Sequence, residues 1–167
     1  ILKQIKHIEN LVNEFSDFAR MPKPHFKKND IIKVLNENIE LLKKMNKSIN
    51  FNINNKLGKQ VLFKFDNEQF SRLFLNLIKN SIESIDEKVK KVSKTLKNID
   101  IEINQRRDYI TINLTDTGIG FKNIKTKDII RPYFTTKEKG TGLGLSIVDK
   151  IINDHNGSIK FLNTKYG

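Results

Sequence analysis

The chain has 167 residues, 37% of them hydrophobic, enough for one compact domain with a buried core and a short appendage. It has no cysteine, which excludes a disulfide framework, a thiolate metal centre and a thiol nucleophile, and fits a reducing compartment. Lysine and arginine number 31 against 19 acidic residues, a net charge of +12. The basic residues are spread throughout without interleaved aromatics, so the charge reads as a whole-sequence bias rather than a nucleic-acid surface. No run approaches the ~18–20 apolar residues of a membrane-spanning helix, and no secretory leader precedes the first helix, so a soluble chain is expected.

In chain order, Ile1, Ile5, Ile8, Val12, Phe15 and Ala19 recur at alternating steps of four and three, the seam of a helix that packs on other helices. Leu2, Leu11 and Phe18 widen that seam. Arg20-Met21-Pro22-Lys23-Pro24 ends it, because each proline removes an amide donor and disfavours helical geometry in the residue before it. Residues 1–21 are therefore expected as a separate element, followed by a linker. Asp30 is placed to cap a second helix over about 31–46, with Ile31, Val34, Leu35, Ile39 and Leu42 as its apolar face. The alternation of Ile49, Phe51 and Ile53 predicts a strand, and Val61 to Phe65 a second.

Asp66 and Gln69 have capping-box spacing for a helix over about 67–86. A step of ~100° per residue puts Gln69, Arg72, Asn76, Asn80 and Glu83 in one polar stripe, and Phe70, Leu73, Phe74, Leu77, Ile78 and Ile82 on the buried side. The lysine-rich residues 87–98 read as a solvated loop or frayed helix end. Ile99, Ile101 and Ile103, then Ile110, Ile112 and Leu114, predict an antiparallel hairpin that leaves Asp116 at a strand end.

Two glycine clusters follow. Asp116-Thr117-Gly118-Ile119-Gly120-Phe121 carries an acid at its mouth, and Gly140-Thr141-Gly142-Leu143-Gly144-Leu145 leads straight into a helix over about 143–155, whose free amides favour anionic phosphates. The connection from Phe121 to Lys139, with its island Pro132-Tyr133-Phe134-Thr135-Thr136-Lys137, has the position of a lid. Gly157 stops the last helix, and Ser158 to Leu162 is predicted as a strand. The two clusters and the Asn76–Asn80 helix read together as one ATP pocket.

These segments carry a family resemblance. Asn76-Leu77-Ile78-Lys79-Asn80-Ser81, DTGIGF, Pro-Tyr-Phe-Thr-Thr-Lys and GTGLGLSIV resemble, in order, the N, G1, F and G2 boxes of the sensor histidine kinase ATP-binding domain. The order of strands and helices extends the resemblance over 29–167. Phe15-Ser16-Asp17-Phe18-Ala19-Arg20-Met21-Pro22 resembles the end of the second dimerisation helix in NtrY-like nitrogen-regulation sensor kinases. The resemblance implies an α/β (α+β) two-layer sandwich of the Bergerat or GHKL type, with helices on one face of a mixed, mostly antiparallel sheet. One coiled-coil-type helix precedes it. It also implies that residues 1–21 are part of a dimerisation hairpin, 22–28 a linker and 29–167 the ATP-binding catalytic domain, expected to lack its last strand.

The roles implied are specific. Asn80 offers its amide oxygen to Mg²⁺, a hard cation that takes oxygen ligands, and Asn76 supports the phosphates or that hydration shell. Asp116 accepts a hydrogen bond from the adenine amino group. Gly118 and Gly120 let backbone pass close to base and sugar, while Gly140, Thr141, Gly142, Leu143 and Gly144 turn amides toward the phosphates. Lys137 adds a mobile positive charge; Phe134, an aromatic in a loop, reads either as a ligand contact or, the reading preferred on burial, as a pin that holds the lid to the core. In gyrase and Hsp90-type ATPases the position of Asn76 is a glutamate that activates water. An amide cannot act as a base, so transfer to a protein side chain is favoured over hydrolysis.

No phosphoacceptor motif is present. His7 is followed by Ile8-Glu9-Asn10-Leu11, His25 follows the prolines and His155 lies at a helix end, so the acceptor histidine is expected before residue 1. The implied partners are the protein's own dimerisation helices, in a homodimer, and a response-regulator receiver domain, with no nucleic acid. The domain is expected to be cytoplasmic, and whether its parent is anchored in the inner membrane stays open. Two rival readings are a non-catalytic nucleotide switch and a gyrase or Hsp90-type ATPase.

Overall fold

The computed structural model describes residues 2–92, 94–121, 124–137 and 140–164. Its elements are α1 (Leu2–Ala19), β1 (Lys27–Asp30), α2 (Ile31–Met45), β2 (Asn50–Asn55), β3 (Leu62–Phe65), α3 (Asn67–Lys91), β4 (Asn98–Arg106), β5 (Tyr109–Asp116), α4 (Thr126–Ile129) and α5 (Gly144–Asp154). They belong to two compact units, one of Phe26–Asn123 with Leu162–Gly167 and one of Ile1–His25 with Ile124–Phe161. Ile1, Lys139 and the Lys165-Tyr166-Gly167 end, on which expectations were placed, lie outside the described residues, as do the side chains of Leu2, His7, Leu11 and Asp17.

Among the described residues, all the strands lie in the first unit. β1 and β3 pair antiparallel from Lys27↔Phe65 to Asp30↔Leu62. In the other ladder β2 runs parallel to β4, with Asn50 opposite Asn98, and β4 runs antiparallel to β5, with Ile99 opposite Asp116. The pairing is thus mixed, as expected, but divided between a two-stranded and a three-stranded sheet. Strict alternation makes β4 the centre of the larger sheet: Ile99, Ile101 and Ile103 are all buried.

The helices of this unit follow their apolar spacing. α2 buries Ile31, Val34, Leu35, Ile39 and Leu42, and α3 buries Phe70, Leu73, Phe74, Ile78, Ile82 and Ile85. Each such side chain contributes about 1.5–3 kcal/mol on transfer from water. An aromatic chain joins β3 to α3, with Phe65 and Phe70 centroids 4.7 Å apart and Phe70 and Phe74 6.2 Å apart. Between α2 and α3, Ser71 Oγ donates to Asn38 Oδ1 at 3.0 Å while Asn38 Nδ2 donates to the Val34 carbonyl at 2.7 Å, which satisfies a buried amide.

Both predicted caps form. Asp30 Oδ1 accepts from the Ile32 and Val61 amides, each at 3.0 Å, so one carboxylate starts α2 and fastens the approach to β3. Asp66 Oδ1 accepts from Glu68 and Gln69 amides, also at 3.0 Å.

Three expectations are corrected. α3 does not stop near residue 86 but continues to Lys91, where Lys91 Nζ reaches Glu87 at 2.6 Å one turn back. Lys27–Asp30, which overlaps the end of the expected 22–28 linker, is a strand paired with β3. Ser158 to Leu162 forms no strand among the described residues. Alternation is there, with Ile159 and Phe161 half-buried between exposed neighbours, but no described strand pairs with it.

In the second unit, Ile5, Ile8 and Val12 of α1 are exposed, and so in part is Phe15, so these described positions of the seam read from the sequence are largely uncovered. α5 buries Ser146, Ile147, Val148 and Ile151. It closes with the Gly157 amide on the Ile152 carbonyl at 2.8 Å and Asn156 at φ 57°, a left-handed C-terminal turn.

Candidate nucleotide-binding site

In the first unit the site is built on α3 and the turn after β5. Asn76 and Asn80 stand one helical turn apart, both half-buried. Asn76 Nδ2 donates to the Arg72 carbonyl at 2.9 Å, which fixes the amide and leaves its oxygen as the outward group. An amide oxygen on a fixed helix is a suitable ligand for a hard cation that keeps several waters. No trio of His, Asp or Glu side chains stands close enough to cage a metal among the described residues. Of the remaining stripe, Gln69 is buried, Arg72 half-buried and Glu83 exposed.

Two further residues on α3 are missing from the sequence reading. Ser84 Oγ accepts the Ile119 amide at 3.1 Å, and Lys88 Nζ donates to the Gly118 carbonyl at 3.0 Å. They continue the four-residue step from Asn76 through Asn80, and that spacing is the signal that points to them. Their effect is to pin the first glycine turn against the helix that carries the asparagines.

The turn is also closed from within. Asp116 Oδ1 accepts the Gly118 amide at 2.8 Å, leaving Oδ2 with no partner among the described residues and suited to an exocyclic amino group. Thr117, 5% exposed, donates to the Leu96 carbonyl at 2.6 Å and accepts the Asn98 amide at 3.1 Å, which anchors the turn to the start of β4. Gly118 has no room for a side chain, and Gly120 sits at φ 66°, where other residues are strained.

In the second unit, the Pro132–Lys137 island and the second glycine cluster are hydrogen-bonded to one another. The Tyr133 amide donates to the Gly142 carbonyl at 3.0 Å, and both residues have left-handed backbone, φ 65° and φ 71°. The Gly140 amide donates to the Lys137 carbonyl at 3.2 Å and the Leu143 amide to Thr141 Oγ1 at 3.3 Å. The amides of Gly142 and Gly144 carry no acceptor among the described residues, and Gly144 opens α5, where the helix dipole favours an anion. Lys137 and Phe134 are half-buried. The Tyr133 ring, outside the expected site, stacks on Phe15 of α1 with centroids 6.5 Å apart.

Residues 65–167 match the family described as histidine kinase-, DNA gyrase B-, and HSP90-like ATPase, and the chain belongs to that family. Within it the similarity is to sensor kinases. The chain is 32% identical to nitrogen regulation protein NtrY of Azorhizobium caulinodans over 167 residues, 100% of this chain and 21% of that protein. It is 32% identical to a putative NtrY-like sensor histidine kinase of Rickettsia bellii, over 100% of this chain and 26% of the relative. The chain therefore spans about a fifth to a quarter of the length of these relatives. The fold is shared with histidine kinase ThkA, solved in complex with response regulator protein TrrA: TM-score 0.78, 20% identity, 99% of this chain and 46% of that one. The expected α+β fold with a preceding helix thus stands. Among the described residues no helix is long and apolar enough to cross a membrane.

Proposed function

We propose that this chain is the catalytic ATP-binding domain of an NtrY-like sensor histidine kinase, passing the γ-phosphoryl group of ATP to a histidine on the dimerisation helices of its parent. An aspartate on a response-regulator receiver domain is the onward acceptor. Asp116 selects adenine through its free oxygen, Asn80 ligates Mg²⁺, Asn76 orients the phosphates, and Gly118 and Gly120 keep the turn low enough for the base. Gly140, Thr141, Gly142, Leu143 and Gly144 receive the phosphates, and Lys137 adds positive charge there. Bound Mg²⁺ neutralises charge on the phosphate oxygens. The parent acts as a homodimer, and the domain works on the cytoplasmic side, where ATP is found.

The observation that carries this reading is the rigid frame of α3. Asn76 and Asn80 project from the same helix whose later turns, through Ser84 and Lys88, hold the turn bearing Asp116. Cation ligand and base selector are thereby fixed relative to each other before ligand arrives. An amide at 76, with no base in its place, favours transfer over hydrolysis.

Calorimetry of Mg²⁺-dependent ATP binding, with GTP as control, tests the pocket. ATP binding that is lost in Asn80→Ala and Asp116→Asn supports it, and binding indifferent to both sinks it. Labelling of a supplied dimerisation-helix pair tests transfer. The rival reading, a switch without transfer, would act through the Phe15–Tyr133 stack that joins α1 to the lid segment within one unit. That reading predicts ATP binding with no labelling.

A further inference from the structure

A cavity of about 470 Å³ opens on the first unit along β2, lined in part by Lys43, Lys47, Ile49, Asn50, Phe51 and Asn52. None of the residues named for the ATP pocket takes part in it. β2 is the edge of its sheet, in the order β2-β4-β5. Which of its backbone groups face outward follows from two bonds. The Asn50 amide donates to the Lys97 carbonyl at 2.8 Å and the Lys56 amide to the Ile103 carbonyl at 3.0 Å, both toward β4. With a period of two, Asn52 and Asn54 also face β4, while Phe51 and Ile53 direct N–H and C=O away from it. An edge of this kind is a template for an added strand.

The charged side chains that line the cavity are both lysines. Lys43, in the last turn of α2, and Lys47, just beyond it, are exposed and in no ion pair among the described residues. No acid lines the cavity. Two acids stand on β4 outside the lining: Glu102 is paired with Lys56, and Asp100, which keeps its charge, accepts from Asn52 Nδ2 at 2.7 Å. Ile49, 4% exposed, and half-buried Phe51 give an apolar floor for alternate side chains of an incoming strand. At the far end the Asn55 side chain bonds the Gly58 carbonyl and closes the edge, so pairing is confined to residues 49–53.

We infer that the outer edge of β2 is a docking strand for an extended, acidic segment of a partner protein, with Lys43 and Lys47 reading its charge. Main-chain bonds to Phe51 and Ile53 supply the pairing, and the lysines supply the choice of partner. A second copy of this chain does not fit, since its β2, Asn-Phe-Asn-Ile-Asn-Asn, brings no acid and sets lysine against lysine.

The test uses the whole chain and a fluorescein-labelled peptide of alternating glutamate and valine, followed by anisotropy, with circular dichroism as a check of fold for each variant. Binding that weakens as salt rises is expected, with an about tenfold or greater loss in the Lys43→Glu/Lys47→Glu pair. Ile53→Pro, which removes an outward donor and spares the ladder to β4, is expected to weaken binding about as much. The Phe51 and Ile53 amide resonances shift on peptide addition. The inference is overturned if a lysine-valine peptide binds equally well, if inorganic phosphate at the peptide's concentration displaces it, or if the charge reversal leaves affinity unchanged. ATP enters none of these readouts, so the result stands apart from the nucleotide reading.

Discussion

The hydroxyl of Ser84 stands 2.0 Å from where a β-carbon on Gly118 would lie, and the same oxygen accepts the Ile119 amide at 3.1 Å. A single methyl group at 118 therefore forces helix and turn apart. Gly118→Ala is expected to cost about 1–3 kcal/mol of stability and to weaken ATP binding along with it. Ser84→Ala rescues Gly118→Ala only in part, because the Ser84 β-carbon is itself 2.6 Å from the new group. Thermal melts of the single and double variants check this. A fully stable Gly118→Ala contradicts the geometry.

Gly142 and Gly140 are expected to differ. At Gly142 the backbone lies at φ 71° and an added β-carbon meets the Tyr133 carbonyl carbon at 2.5 Å, whereas at Gly140 the nearest atom is the Thr135 side-chain oxygen at 2.3 Å. Backbone does not yield as a hydroxyl does. Gly142→Ala should weaken ATP binding by about tenfold or more, and Gly140→Ala, combined with Thr135→Ala to clear the hydroxyl, by clearly less. Calorimetric affinities decide between them.

Asp116→Asn separates the two tasks of that side chain. The amide keeps an oxygen to accept from Gly118 but no longer presents a carboxylate to adenine. Stability is expected to stay within about 1 kcal/mol of wild type while ATP affinity falls about tenfold or more. Loss of the fold instead would assign Asp116 to turn closure alone.

Asp66→Ala removes the acceptor of two amides at the start of α3. A loss of about 1–2 kcal/mol is expected in urea unfolding.

The Glu102 carboxyl is held below its ordinary pKa, first by the hydrogen bond from Lys56, then by Asn104, the Lys56 charge and Asn113. Because its folded-state pKa lies below the unfolded one, its stabilising share is present at neutral pH and is lost as pH falls through the folded value. Both side chains are solvent-exposed, so the effect on stability is small. Lys56→Met should move the Glu102 titration upward, as read by carboxyl-carbon NMR. An unmoved titration would assign the shift to the asparagines.

Much of this architecture can be read from periodicity and punctuation. Ile31 to Leu42 and Phe70 to Ile82 repeat with a helical period, Asp30 and Asp66 mark the starts, and Ile99 to Leu114 alternate around a polar turn, which leaves Asp116 where the sequence places it. β1 is illegible because Lys-Lys-Asn-Asp has no intrinsic preference for a strand, and only pairing with β3 makes it one. The reverse holds for Ser158 to Leu162, where alternation is present without a partner. α3 runs past residue 86 because lysine is a good helix former and Glu87–Lys91 spacing supports one more turn. Ser84 and Lys88 escape because their roles depend on groups 35 and 30 residues away in sequence.

The stack of Phe15 on Tyr133 bears on how this protein can be dissected. The proline stretch near residue 22 invites a cut that discards α1. Such a cut takes away one ring of an aromatic pair whose other member already holds a left-handed backbone. A chain shortened there carries Tyr133 without its aromatic partner, so nucleotide affinities measured on it describe that shorter chain and not this one.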